Sequence, residues 1–122
     1  TNSAAQTVDR IIDVFPEHQQ EQVRSQFANT IEAIMAQRLV PSLKGGRVAA
    51  TELLLGTPAV RNTIREGKTH QLDSIIQTSA ELGMMTLEAS LAAWVKSGEI
   101  SAAVAQAFSL RPAELARMIT KG

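Results

Sequence analysis

The sequence predicts a mostly α-helical chain with one β-hairpin. Three observations carry that prediction. Apolar residues recur at helical spacing near the start, as in Val8, Ile11, Ile12 and Phe15. A Gly-Gly pair separates two short strand-like runs. Beyond residue 56, capping residues and glycines cut the chain into short helices.

Each element has its own local reason. Ser3 is placed to cap a first helix over residues 3–15, because its hydroxyl can accept a free backbone N–H. Pro16 breaks that helix, and an acidic first turn at Glu17 opens a second. Val23, Phe27, Ile31 and Ile34 form the expected buried stripe of this second helix. Residues 35–40 and 47–54 read as the two strands, joined across Lys44, Gly45 and Gly46, where glycine supplies the positive φ of a tight turn. Thr57-Pro58 is a helix start, predicting a helix over 58–66 that stops at Gly67. A helix over 69–82 follows, with Leu72, Ile75, Ile76 and Leu82 inside and Gly83 as its stop. Thr86 caps 87–97, Ser101 caps 102–108, and Pro112 opens 112–119. Trp94 falls on the apolar stripe of its helix and is expected to pack in the core.

Composition narrows the function classes. At 122 residues and 44% hydrophobic content, the chain fits one globular domain. It opens on Thr1 without Met, which suggests a processed chain or a piece of a longer one. The absence of Cys excludes disulfide scaffolds and thiol chemistry. No apolar run approaches the ~18 residues of a membrane span. Twelve basic residues balance twelve acidic ones, five against six in residues 1–55 and seven against six in 56–122. Such balance implies no broad attraction to nucleic acid or to an anionic membrane. There is no G-x-x-x-x-G-K-[ST] phosphate loop, no G-x-S-x-G and no H-E-x-x-H, and His18 and His70 stand far apart. No catalytic residue and no metal site is assigned.

One polar group stands out. Arg61, Arg65 and Lys68 follow the spacing i, i+4, i+7, which puts them on one side of the 58–66 helix and its exit. Asn62 and Glu66 are expected to pair on an adjacent side. The cations form either a solvated face or a contact surface for carboxylates or phosphates. Residues 99–119 offer a rival reading as a helix-turn-helix, with Arg111, Arg117, Lys121 and Glu114 near the second helix, but the neutral charge argues against DNA. A helical protein-interaction module is a further alternative.

Residues 57–68, Thr-Pro-Ala-Val-Arg-Asn-Thr-Ile-Arg-Glu-Gly-Lys, closely resemble the A-I-R-N-L-I-R-E motif of the PilT family of type IV pilus retraction ATPases. Ala59, Arg61, Asn62, Ile64, Arg65 and Glu66 match it, Val60 is conservative, and Thr63 stands where the motif has Leu. Further matches run in order along the chain. Thr1 to Ala4 and Asp9 to Pro16 resemble the segment after the family's His box. Residues 46–59 resemble its last core hairpin, and Gly98-Glu99-Ile100-Ser101 resembles its G-x-I-S turn.

The resemblance implies a C-terminal portion of a hexameric motor ATPase that drives pilus retraction and twitching motility. Residues 1–55 would be the tail of its RecA-like α/β core and 56–122 its small C-terminal helical domain. The parent would use ATP and Mg²⁺, work in the cytoplasm beside the inner membrane, and engage the pilus machinery rather than nucleic acid. This chain alone, lacking the phosphate loop, would hold no cofactor and would not hydrolyse ATP. Thr1 and Asn2 would be a remnant of the nucleotide side. Ala59, Val60, Arg61, Asn62, Thr63, Ile64, Arg65, Glu66 and Lys68 would form the retraction motif and a subunit interface, with Glu66 steadying one of the arginines. The run Leu53-Leu54-Leu55 would leave apolar surface uncovered without the rest of the core, favouring self-association.

Overall fold

A computed structural model describes residues 3–120. The helices are α1 (Ala4–Asp13), α2 (Glu17–Thr30), α3 (Pro58–Arg65), α4 (Leu72–Thr78), α5 (Leu87–Lys96), α6 (Ala102–Phe108) and α7 (Pro112–Thr120). Strands β1 (Ala33–Pro41) and β2 (Arg47–Leu55) form a two-stranded antiparallel hairpin. Four helix starts rest on the hydroxyls that the sequence singles out. Ser3, Thr57, Thr86 and Ser101 accept hydrogen bonds from the backbone N–H groups of Gln6, Val60, Ala89 and Val104 respectively.

The chain packs as two compact units that interleave in sequence. The first comprises the chain up to Ala36 and Leu53–Met85; the second comprises Gln37–Glu52 and the chain from Thr86 onward. The base of the hairpin therefore belongs to the first unit and its tip to the second. Backbone bonds from Ser42 N–H to Gly46 O (3.0 Å) and from Gly56 N–H to Glu32 O (2.8 Å) fix the register, with Pro41 opposite Arg47.

In the first unit, Val8, Ile12, Ala28, Ile31, Leu54, Val60, Ile64, Leu72 and Ile76 make the core. Here three expectations from the sequence differ from the structure. Ile11 and Phe15 are surface residues lining an open groove of about 610 Å³ with Val23 and Phe27, while Ala4 and Ala5 complete the buried stripe of α1. The stripe of α2 does not continue to Ile31 and Ile34, because the helix ends at Thr30. Both isoleucines are β-branched, and the extended path they take lets Glu32 pair with Gly56. The single helix expected over 69–82 is also interrupted. It becomes a 3-10 turn at Thr69–Gln71, then α4, then a second 3-10 turn at Ala80–Leu82, and Leu82 is 61% exposed. Thr78 Oγ donates back to the Ser74 and Ile75 carbonyls, an alternative to helix continuation. Gly83, at φ 101°, reverses the chain.

The second unit packs Val40, Ala50, Leu87, Leu91, Ile100, Ala105 and Leu115, with Trp94 and Phe108 against them. The far edge of β2 is closed by side chains rather than by a third strand. Trp94 Nε1–H donates to the Ala49 carbonyl at 2.8 Å, and Ser90 Oγ accepts the Thr51 N–H at 3.0 Å. In the first unit the same edge ends in a single bridge between Leu53 and Met85.

The turn between α6 and α7 is held by a buried acid. Glu88, 1% exposed, accepts hydrogen bonds from Ser109 Oγ (2.9 Å), Leu110 N–H (3.0 Å) and Arg111 N–H (3.2 Å) on one oxygen. Its other oxygen lies 3.4 Å from the Arg111 guanidinium. A buried carboxylate needs such donors to offset its desolvation.

Candidate functional site

The residues of the sequence motif fold as α3 and its exit. Thr57 caps the helix, and Pro58 fixes its first turn. Val60, Thr63 and Ile64 face inward, with Thr63 Oγ donating to the Ala59 carbonyl at 2.8 Å. That bond satisfies the hydroxyl standing where the motif has Leu, so the departure is accommodated locally. Ala59, Asn62, Arg65, Glu66 and Lys68 are exposed, and Arg61 is half-buried.

The cations do not share one free face. Arg61 is turned into its own unit, where Nε–H donates to Gly56 O (2.9 Å), Nη1–H to Asn29 O (3.3 Å) and Nη2–H to Ile31 O (3.0 Å). Two of those carbonyls lie at the end of α2, whose last turn carries no basic residue. Arg61 thus supplies from another helix the positive charge that a helix C-terminus favours. Arg65 reaches the same place from outside. Its guanidinium donates to Asn29 Oδ1 at 2.8 Å and to Asn62 Oδ1 at 2.7 Å. Asn62 therefore pairs with Arg65 and not with Glu66, whose carboxylate stands 3.7 Å from Lys68. Glu66 steadies neither arginine.

Asn29 is the residue that sequence reasoning missed. It meets Arg61 through its carbonyl and Arg65 through its side chain, and no local pattern marks it. Gly56 is a second. An added Cβ there would stand 2.2 Å from the Ile31 carbonyl oxygen, so only glycine fits against the end of α2.

Thr1, Asn2 and Lys121 lie outside the described residues. Among the described residues, no three His, Cys, Asp or Glu side chains group to hold a metal ion. No helix among them is long and apolar enough to cross a membrane.

No family model matches the chain. Known proteins do. It is 48% identical over 101 residues to the type IV pilus retraction ATPase PilT of Pseudomonas aeruginosa, which covers 83% of this chain and 29% of that protein. The chain is related to the PilT family of pilus retraction ATPases. A twitching motility protein of Neisseria gonorrhoeae is 46% identical over 102 residues, covering 83% of this chain and 27% of that one. The crystal structure of the pilus retraction motor PilT with bound ADP superposes with a TM-score of 0.83 at 42% identity, over 96% of this chain and 32% of that one. The match is to the C-terminal region of that ATPase. The chain thus spans less than a third of the length of these relatives. The helix-turn-helix and general interaction readings are not favoured by these relatives.

Proposed function

We propose that this chain works as the C-terminal part of a ring-forming motor ATPase that powers type IV pilus retraction and twitching motility. The observation that supports it most is α3. A helix with the retraction-type sequence is capped, buried on one side and locked to α2 by Arg61, in a chain 48% identical to a retraction ATPase. In the parent, residues 1–55 complete a RecA-like core and 56–122 form the C-terminal helical region. That division concerns the parent protein and is separate from the compact units of this chain.

ATP and Mg²⁺ are held in the parent by groups this sequence does not contain, and the chain alone does not turn over ATP. By sequence, Thr1 and Asn2 follow the position of the family's His box and are read as a remnant of the parent's nucleotide-binding sequence. The motor acts as a hexamer in the cytoplasm, next to the inner membrane and its pilus machinery. The exposed Ala59, Asn62, Arg65, Glu66 and Lys68 form a subunit contact, whereas Val60, Thr63 and Ile64 hold α3 to its own core and Arg61 positions the helix; Arg65 exchanges Asn29 and Asn62 for a neighbour as the ring moves. Rigid-body shifts of this kind are a common way for packed interfaces to switch.

The test uses the intact protein and this chain side by side. ATP turnover is expected from the first and not from the second. Arg65→Ala in the intact protein is expected to impair retraction with the ring still assembled. Retraction and ATPase rates both unchanged in Arg61→Ala and Arg65→Ala would overturn the assignment of α3, and turnover by the chain alone would overturn its dependence on the parent.

A further inference from the structure

The neutral charge of the chain conceals a segregation. Counted over the described residues, the first unit carries five basic against eight acidic side chains; the second carries six against four, a surplus of two positive charges. Balance by sequence halves hides this, because the units interleave. The four acids of the second unit are also withdrawn from solvent. Glu52 and Glu88 are buried, and Glu99 and Glu114 have side chains about a quarter exposed and set beside Lys44 and Arg111. Lys44, Arg47, Lys96 and Arg117 are exposed. The solvent-facing surface of this unit is therefore basic.

At the hairpin tip the positive charge meets apolar surface. Pro41 lies opposite Arg47, and Leu39, two residues before Pro41, points to the same face. Leu39 is 53% exposed and Leu43, in the turn, is 65% exposed. The turn is not loose. Leu43 N–H donates to the Glu99 carbonyl at 2.7 Å, Ser42 Oγ donates to the same carbonyl at 3.1 Å, and Lys44 Nζ lies 3.0 Å from the Glu99 carboxylate. A pinned backbone thus holds leucines out in water, beside Arg47, which has no ion pair among the described residues.

We propose that this tip docks on the anionic surface of a lipid bilayer. Leu39 and Leu43 enter the interface between headgroups and acyl chains, while Arg47 meets a lipid phosphate. A bilayer fits better than an acidic protein. The tip sets exposed aliphatic side chains beside a cation on a pinned turn, the pairing that an anionic bilayer interface takes up. The inference takes its setting from the membrane-side location proposed above, and it names the surface and the lipid class.

The test is co-sedimentation of the full chain with vesicles. Binding to phosphatidylcholine vesicles containing about one-third phosphatidylglycerol is expected to exceed binding to pure phosphatidylcholine at least ~5-fold, and to fall as salt is raised. Leu43→Ser and Arg47→Glu are each expected to lower it several-fold, with the urea midpoint of Trp94 fluorescence unchanged as proof of folding. Equal binding to both vesicle types, or variants that bind like the parent sequence, would overturn the proposal. Retention on immobilised polyglutamate without vesicle binding would also overturn it, in favour of an acidic protein. None of these outcomes bears on ATP turnover or retraction, so this proposal can fail while the motor reading stands.

Discussion

Replacing Glu88 with alanine should unfold the second unit far more easily than its single position in α5 suggests. The side chain is buried and gathers donors from Ser109, Leu110 and both the backbone and guanidinium of Arg111. Each hydrogen bond to a charged acceptor contributes ~1.5–3 kcal/mol in isolation, but these share one desolvation cost and do not add. Breaking a buried charged cluster by removing one partner costs ~3–5 kcal/mol. Arg111 has a side chain 28% exposed and can be rehydrated, so the lower end, about 3 kcal/mol, applies. In a unit this small, that lowers Tm by at least about 12 °C. Glu88→Gln keeps a carbonyl acceptor and should lose less. The chain carries its own reporter, because its single Trp, Trp94, packs in this unit and bonds to Ala49. Urea titrations followed by Trp94 fluorescence measure the midpoint directly. Combining Glu88→Ala with Arg111→Ala should cost less than the two single changes added, since the residues touch. A Glu88→Ala midpoint within about 0.5 kcal/mol of the parent would refute the reasoning, because surface substitutions alone give that much.

Three further outcomes are expected. Gly56→Ala should cost about 3 kcal/mol or more in chemical denaturation, because the new Cβ meets the backbone oxygen of Ile31 at 2.2 Å and backbone cannot swing aside. Arg61→Ala should lower stability by ~1–3 kcal/mol and speed amide exchange at the end of α2, with Arg61→Lys recovering only part, since an ammonium cannot span three carbonyls; full recovery by Lys would mean charge alone matters. Glu99 is held below its ordinary value of 4.5, chiefly by the hydrogen bond from Lys44. Its contribution is therefore fully present above that value and is lost as pH falls through the lower folded-state value. Acid titration of Glu99→Gln, set against the parent, should show a smaller loss of stability in that window.

Most helix starts were legible because their causes are local, whereas the breaks within residues 69–82 were not. Four hydroxyl caps, a Pro at a first helical position and glycines at positive φ each act within a few residues. The hairpin was legible for the same reason. The end of α2 was not. Ile31 and Ile34 are spaced for a helix, yet the winning interaction is a pairing with Gly56, more than twenty residues away. The motif of α3 was visible as an order of residues, but its chemistry was not. Nothing near Arg61 says that its guanidinium turns to the carbonyls of residues 29, 31 and 56. The charge of the second unit escaped for a related reason. Residues 37–52 are assigned to it by the fold and not by their place in the sequence.

That interleaving constrains the order in which a growing chain can fold. Emerging from the ribosome, the first unit has all its residues once Met85 is out. To close, it must loop out the 16 residues Gln37–Glu52, an entropy cost on the order of 2–3 kcal/mol. The hairpin tip then waits, its core side chains Val40 and Ala50 uncovered, until α5, α6 and α7 have been made. If the first unit closes as soon as its residues are out, a finished unit and a bare tip coexist in one species until the rest of the chain is made. A pause just after Met85 would lengthen the life of that species, and with it the time in which two nascent tips on neighbouring ribosomes can find each other.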